Sequence, residues 1–163
     1  MKRVIIIGCP GSGKSTFGRK LGSITGIPLC HLDMLYWNED KTTVPRDIFI
    51  GKLQNVMRGD KWIIDGNYAS TMEMRMKECD TVFFLDYPVE VCLDGIRERK
   101  GKPRSDMPWV EESNYDEEFL SFINDYNSKN RPEVMELIKK YPEKEAIIFR
   151  SRNEADVFLA SLK

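Results

Sequence analysis

Histidine and paired cysteine are nearly missing from this chain. One histidine, His31, stands among 163 residues, and the four cysteines, Cys9, Cys30, Cys79 and Cys92, form no C-x-x-C pair. A Cys/His zinc site of ordinary spacing is excluded, and such dispersed thiols predict reduced cysteines rather than a disulfide framework. Net charge is missing too: 25 Lys+Arg against 26 Asp+Glu leave a formal −1. A surface built to coat nucleic acid or an anionic membrane is therefore not expected, and any basic site must be local. No apolar run reaches the ~20 residues that span a bilayer, and the apolar run after Met1-Lys2-Arg3, Val4 to Ile7, is too short for the core of a secretion signal. The expectation is a cytoplasmic protein without membrane contact, either monomer or homodimer. Internal repeats and low-complexity tracts are also lacking.

What is present suffices for a core: 41% hydrophobic residues, with eight Phe, six Tyr and three Trp. At roughly 150 residues per domain, residues 1–163 are expected to form one domain. Val4-Ile5-Ile6-Ile7 is an unbroken β-branched run ended by Gly8, the pattern of a strand buried on both faces of a parallel sheet. Pro28 to Leu32, Lys61 to Ile64, Thr81 to Leu85 and Ala146 to Phe149 are similar runs, each separated from the last by enough chain for a helix. That alternation predicts an α/β fold with crossover helices.

Helices are predicted over Ser15–Ser23, Arg46–Arg58, Val89–Arg99, Asp116–Asn127, Pro132–Tyr141 and Glu154–Leu162. Pro132 suits a first turn and Pro142 falls just past an end. Phe119, Leu120, Phe122, Ile123 and Tyr126 recur at helical spacing and read as a core stripe. From Arg99 to Asn114, Gly101, Pro103 and Pro108 interrupt any helix, so the stretch reads as a loop or lid.

Gly8-Cys9-Pro10-Gly11-Ser12-Gly13-Lys14-Ser15 matches G-x-x-x-x-G-K-[ST]. A chance match in a chain of this length is on the order of one in a hundred. The motif leaves a predicted strand and enters a predicted helix, the context in which backbone N–H groups converge on phosphate oxygens in front of a helix N-terminus. Gly8, Pro10, Gly11, Ser12, Gly13, Lys14, Ser15 and Thr16 are thus candidate nucleotide contacts. Lys14 would neutralise the β and γ groups of ATP and Ser15 would ligate Mg²⁺. Neither an N-K-x-D motif nor a D-x-x-G switch is found, which removes the GTPase reading and leaves a compact phosphotransferase.

Three further motifs carry a family resemblance: His31-Leu32-Asp33-Met34-Leu35-Tyr36-Trp37, Trp62-Ile63-Ile64-Asp65-Gly66-Asn67-Tyr68 and Phe84-Leu85-Asp86-Tyr87-Pro88. With the Gly8 to Ser15 loop, they make the chain resemble the adenylate kinase-related P-loop kinases, and more narrowly the DNA topology modulation proteins (FlaR-like), over nearly its whole length. The resemblance implies a three-layer P-loop fold with a five-stranded parallel sheet in the order 2-3-1-4-5. It also implies an ATP site, an acceptor-binding insertion at about 33–60 and a lid at about 99–115.

By the same resemblance, Asp65 holds Mg²⁺ through its waters, while Asp65-Gly66-Asn67 also suits a simple turn. Asp33 would contact the acceptor hydroxyl or act as base; a helix cap is the other reading. Asp86 matches a further acid of the family. The two arginines with which adenylate kinases grip the acceptor phosphate are missing: Asn67-Tyr68-Ala69 replaces one and Tyr36 the other. Candidate acceptor contacts are therefore Asp33, Arg46, Tyr68 and Arg75, the two arginines serving if their helices turn them inward and being surface residues otherwise.

Phosphoryl transfer spreads charge that cations must meet. Arg97, Arg99, Lys100, Lys102 and Arg104 crowd the lid, with Arg99 at the family's lid-entry position, so Arg99 and Arg104 join Lys14 and Asp33 as catalytic candidates. The base-stacking arginine of adenylate kinases falls on Gly95, which shifts the base toward Arg150 to Asn153, with Arg150 as candidate; Lys129 and Arg131 are secondary phosphate candidates. The expected partners are ATP with Mg²⁺ and a small acceptor, a nucleotide or nucleoside first. The alternatives are a shikimate- or gluconate-type hydroxyl kinase, and an ATP-binding regulator acting on DNA through the basic lid.

Overall fold

Val4 to Ile7 are wholly buried, and their strand, β1 (Arg3–Gly8), lies at the centre of the sheet. A computed structural model describes residues 1–109 and 117–163. The other strands are β2 (Leu29–His31), β3 (Trp62–Asp65), β4 (Thr81–Leu85) and β5 (Glu145–Phe149). All pair in parallel in the order β2-β3-β1-β4-β5, as the resemblance implies. Ile5 stands between Ile64 and Val82, so the middle of the sheet is apolar on every side.

The helices are α1 (Lys14–Thr25), α2 (Leu32–Tyr36), α3 (Arg46–Met57), α4 (Ala69–Glu78), α5 (Val89–Arg99), α6 (Glu117–Lys129), α7 (Arg131–Lys140) and α8 (Arg152–Ser161). Phe17 of α1, Phe83, Phe149 and Phe158 of α8 meet as one aromatic cluster, with Phe83 and Phe149 stacked at 5.9 Å. Each buried ring contributes about 2 kcal/mol of transfer free energy, which ties α1 and α8 to the β4–β5 half. Among the described residues, no helix is long and apolar enough to cross a membrane.

Two helices escape the sequence pattern. Helix α2 has five residues, too few to show a period. Helix α4 buries Thr71, Met72, Arg75 and Met76, so its inward face is half polar and hides the apolar repeat. Helix α8 begins at Arg152, two residues before the expected start, because Ser151 accepts from the Glu154 N–H while Glu154 accepts from the Arg150 N–H. The expected stripe on α6 divides: Ile123 and Tyr126 are buried, whereas Phe122 is 39% exposed. Of the lid expected at 99–115, residues 110–115 lie outside the described residues, as does Asp116 of the expected helix start.

The register decides where chemistry collects. Asp65 pairs in register with Ile6 and His31, and Gly8 pairs with Leu85, so the ends of four strands open on one edge. The order reverses around β1, and open α/β sheets hold ligands at such a carboxyl-edge crevice.

Candidate active site

A cleft of about 1220 Å³ opens at this edge, lined by Gly11, Lys14 and Ser15 of the glycine-rich loop and α1, by Asp33, Asp65 and Tyr68 at the β2–β3 side, and by Arg99 at the end of α5 and Arg104 beyond it. Gly11 and Gly13 have φ of 82° and 94°, left-handed values that favour glycine. Helix α1 has no side-chain cap and no acid within its own first turn, so its first N–H groups are left without a capping side chain at the cleft. The loop is braced by α5. A Cβ on Gly95 would lie 2.0 Å from the Gly11 carbonyl oxygen, so the position where adenylate kinases carry a stacking arginine here must be glycine for α5 to pack.

Lys14 Nζ donates to the carbonyls of Gly8 (2.9 Å) and Cys9 (3.3 Å). Desolvation lowers its pKa, against the pull of Asp65 and Asp33. The Ser12 hydroxyl is buried in the same loop without a hydrogen-bond partner. Asp65 is 4% exposed, and both its carboxylate oxygens face His31 Nδ1 at 3.0 and 2.9 Å. Burial alone would lower the histidine pKa, but the bond to Asp65 raises it.

Asp33 does not cap α2. It lies inside the first turn, and its Oδ1 accepts the Tyr68 hydroxyl at 2.5 Å. Burial raises its carboxyl above the ordinary range, opposed by the Tyr68 bond and by Lys14. Tyr68 itself has φ 39°, an uncommon conformation for a non-glycine residue, with its ring wedged against Tyr36 (4.9 Å) and Phe49 (5.3 Å).

Asp106 was not anticipated. Its Oδ2 accepts the Ser15 hydroxyl at 2.7 Å, and Arg104 donates to its two oxygens at 3.0 and 2.5 Å. Burial would raise this carboxyl, but Arg104 and Ser15 hold it well below the usual value. Arg19 of α1 adds a bond to Ser105 at 3.2 Å. Residues 104–106 thus rest on the Ser15 hydroxyl through a carboxylate 91 positions away in sequence. Trp37, Lys41, Trp109, Phe119, Phe122 and Arg152 also line the cleft. The aromatic residues are visible in the sequence as core candidates, but their convergence on the cleft is not.

Five candidates do not line the cleft: Gly8 and Ser12, buried within the loop, and three arginines. Arg75 is 0% exposed and faces backbone, donating to the carbonyls of Gly66 (3.0 Å), Asn67 and Tyr68 (3.3 Å). Burial pushes its pKa down to about 10, still charged at neutral pH. It holds the turn that carries Tyr68 and is spent as an anion clamp. Arg46 is exposed at the start of α3, outside the cleft lining. Arg150 turns to Asp86, which also pairs with Arg131 at 2.9 Å, so that acid and both arginines join β4, β5 and α7; Arg152 lines the cleft instead. Lys129 pairs with Asp125 and Arg97 with Asp94.

Arg75→Leu is therefore expected to lose about 3 kcal/mol of stability, because three buried carbonyls lose their donor. Denaturant unfolding checks this; a loss below about 1 kcal/mol would contradict the bracing role.

The groups present fit magnesium and a triphosphate: first-turn N–H groups and the Lys14 ammonium for the phosphates, and the oxygens of Ser15 and Asp65 for a hard cation. No family profile matches the chain. It is similar to adenylate kinase of Thermotoga maritima, 29% identical over 109 residues, covering 63% of this chain; the chain matches only about half (49%) of that relative's length. Shikimate kinase from Bacteroides thetaiotaomicron superposes with TM-score 0.65 at 20% identity, over 99% of this chain and 96% of that one. Shikimate kinase from Acinetobacter baumannii, in complex with shikimate, gives 0.65 at 17%, over 99% and 90%. A gluconokinase from Sinorhizobium meliloti gives 0.58 at 16%, over 99% and 93%. The fold is that of the P-loop kinases.

Proposed function

We propose that the chain is an ATP- and Mg²⁺-dependent phosphotransferase passing a γ-phosphoryl group to a small acceptor, a nucleotide or nucleoside. The observation that carries this reading is that Lys14, Ser15, Asp65 and Asp33 line one cleft with the lid cations Arg99 and Arg104. Ser15 and Asp65 would hold the metal, which when bound neutralises phosphate charge. The first turn of α1 binds the phosphates, Lys14 supplies charge at the β and γ groups, and Arg99 and Arg104 meet charge that grows on the transferring group. Asp33, on the acceptor side, receives the acceptor proton.

A second reading, an acceptor with a hydroxyl and no phosphate, is favoured by one specific observation: Arg75 is committed to backbone carbonyls and Arg46 stands outside the cleft. The test is ADP release with Mg²⁺ and ATP against nucleoside monophosphates, nucleosides and polyol acids, with the acceptor-free rate as control. Stimulation by one class is expected. No stimulation by any class, with no thermal stabilisation by MgATP, rejects the phosphotransferase.

A further inference from the structure

Tyr36 packs edge-on to Trp37 (5.3 Å), and Trp37 edge-on to Trp109 (5.9 Å, 88°). Tyr36 also leans on Tyr68 and Phe49, so one continuous aromatic wall joins the end of α2, the start of α4, α3 and the lid. Phe49 anchors it in the core, while Trp37, Tyr68 and Trp109 are half-buried and line the cleft. Asp33 is joined to this wall through the Tyr68 hydroxyl. A wall built only for stability would bury its rings. This one turns three of them to a cavity, beside the group suited to accept a proton.

The wall carries a second sign of a ligand. The Trp109 indole N–H is shut off from solvent and has no hydrogen-bond partner among the described residues. An indole donates and cannot accept, so what it lacks is an acceptor atom, such as a ring nitrogen or carbonyl.

Charge argues against a phosphate here. The cation on the wall, Lys41, has its Nζ 5.3 Å from the centre of the Trp109 ring. Arg75 is sealed against carbonyls, and Arg46 lies outside the lining. Arg104 is held by Asp106 at Ser15, and Arg19 by Ser105 and Thr16, both on the phosphate-loop side. Arg99 and Lys102 also line the cleft, on the lid side that the phosphotransferase reading assigns to the transferring phosphoryl group, so among the described residues an acceptor phosphate near Asp33 and Asp65 has no arginine fork dedicated to it.

We infer that the acceptor is a nucleoside: a planar base sits in the corner formed by the perpendicular rings of Trp37 and Trp109, stacked on one and edge-on to the other, and a free sugar hydroxyl, not a phosphate, is presented to Asp33. The inference rests on the phosphotransferase reading and deepens it. In the step, the hydroxyl proton passes to Asp33, the hydroxyl oxygen bonds to the γ-phosphorus of ATP, and the bond from that phosphorus to the β–γ bridging oxygen breaks. ADP and a nucleoside monophosphate leave, and Asp33 returns its proton to water. Base stacking on an aromatic ring is tolerant of base identity, so the wall selects for a ring more than for a particular base.

Tryptophan fluorescence reads this independently of turnover. Of the three tryptophans, Trp62 is 1% exposed, so ligand-induced change belongs to Trp37 and Trp109. Adenosine, cytidine, their 5′-monophosphates, gluconate and shikimate would each be titrated, and ADP release measured with the same compounds. The expected result is saturable quenching and ADP release with a nucleoside. Trp37→Leu and Trp109→Leu should raise the nucleoside KM by about tenfold, one stacking contact's worth, with the ATP KM unchanged. Asp33→Asn should keep the quenching and lose the turnover. If a leucine variant fails to fold, Trp109→Phe keeps the ring without its N–H, and its nucleoside KM should still rise.

A monophosphate preferred about tenfold over its nucleoside, or polyol turnover indifferent to both tryptophan variants, overturns the inference and leaves the phosphotransferase standing. Absence of ADP release with every compound, together with absence of MgATP stabilisation, rejects the phosphotransferase itself.

Discussion

Lys14→Ala abolishes acceptor-stimulated ADP release, by at least about 10³-fold, and removes the thermal stabilisation given by MgATP. The size follows from position: the ammonium is held by the Gly8 and Cys9 carbonyls at the mouth of α1, whose first turn carries no acid and no side-chain cap of its own. In a partly desolvated site its charge acts at much lower screening than in water. The variant should fold normally, because desolvation already disfavours the Lys14 charge in the free protein. Circular dichroism and thermal unfolding without nucleotide check that point. Unchanged MgATP affinity in a folded Lys14→Ala protein would sink the assignment of the loop.

The second expected result concerns Asp33. Asp33→Asn lowers turnover by roughly 10²–10⁴, the usual contribution of a general base, with ATP affinity changed by less than about threefold. Equal loss of both would point to a collapsed cleft instead. The pH profile separates the roles further. Burial raises the Asp33 carboxyl above its ordinary value, and the base works only when ionised, so turnover falls as pH drops through that raised pKa. The Tyr68 hydroxyl bond opposes the rise. Tyr68→Phe therefore removes a stabiliser of the carboxylate, and the acidic limb moves to higher pH. A purely structural Tyr68 would lower stability without moving the limb.

The paired acids show how far residue type alone misleads. Asp65, Asp86 and Asp106 are all nearly buried, yet their neighbours divide them. Asp65 faces His31 at the strand edge, Asp86 ties two arginines into the scaffold, and Asp106 carries the lid onto Ser15. The arginines divide in the same way. Arg75 and Arg99 sit in adjacent crossover helices, but the first points at a turn's carbonyls and the second at the cleft.

By itself the sequence determined what short-range physics writes contiguously. The β-branched runs set the buried strands, and Gly8 to Ser15 set the phosphate loop, because a glycine-rich turn between a buried strand and a helix has few other conformations. Pro132 and Pro142 placed the ends of α7 to within one residue, since proline's missing N–H and fixed φ act locally. Only the tertiary structure decided which cations and rings face the cleft. Ser15 with Asp106, Trp37 with Trp109 and Asp33 with Tyr68 are separated by 35 residues or more, and their meeting depends on sheet register and helix rotation. A one-residue turn of a helix moves a side chain by about 100°, enough to exchange cleft for core. That rotation is set by packing across the whole sheet, which no local spacing records.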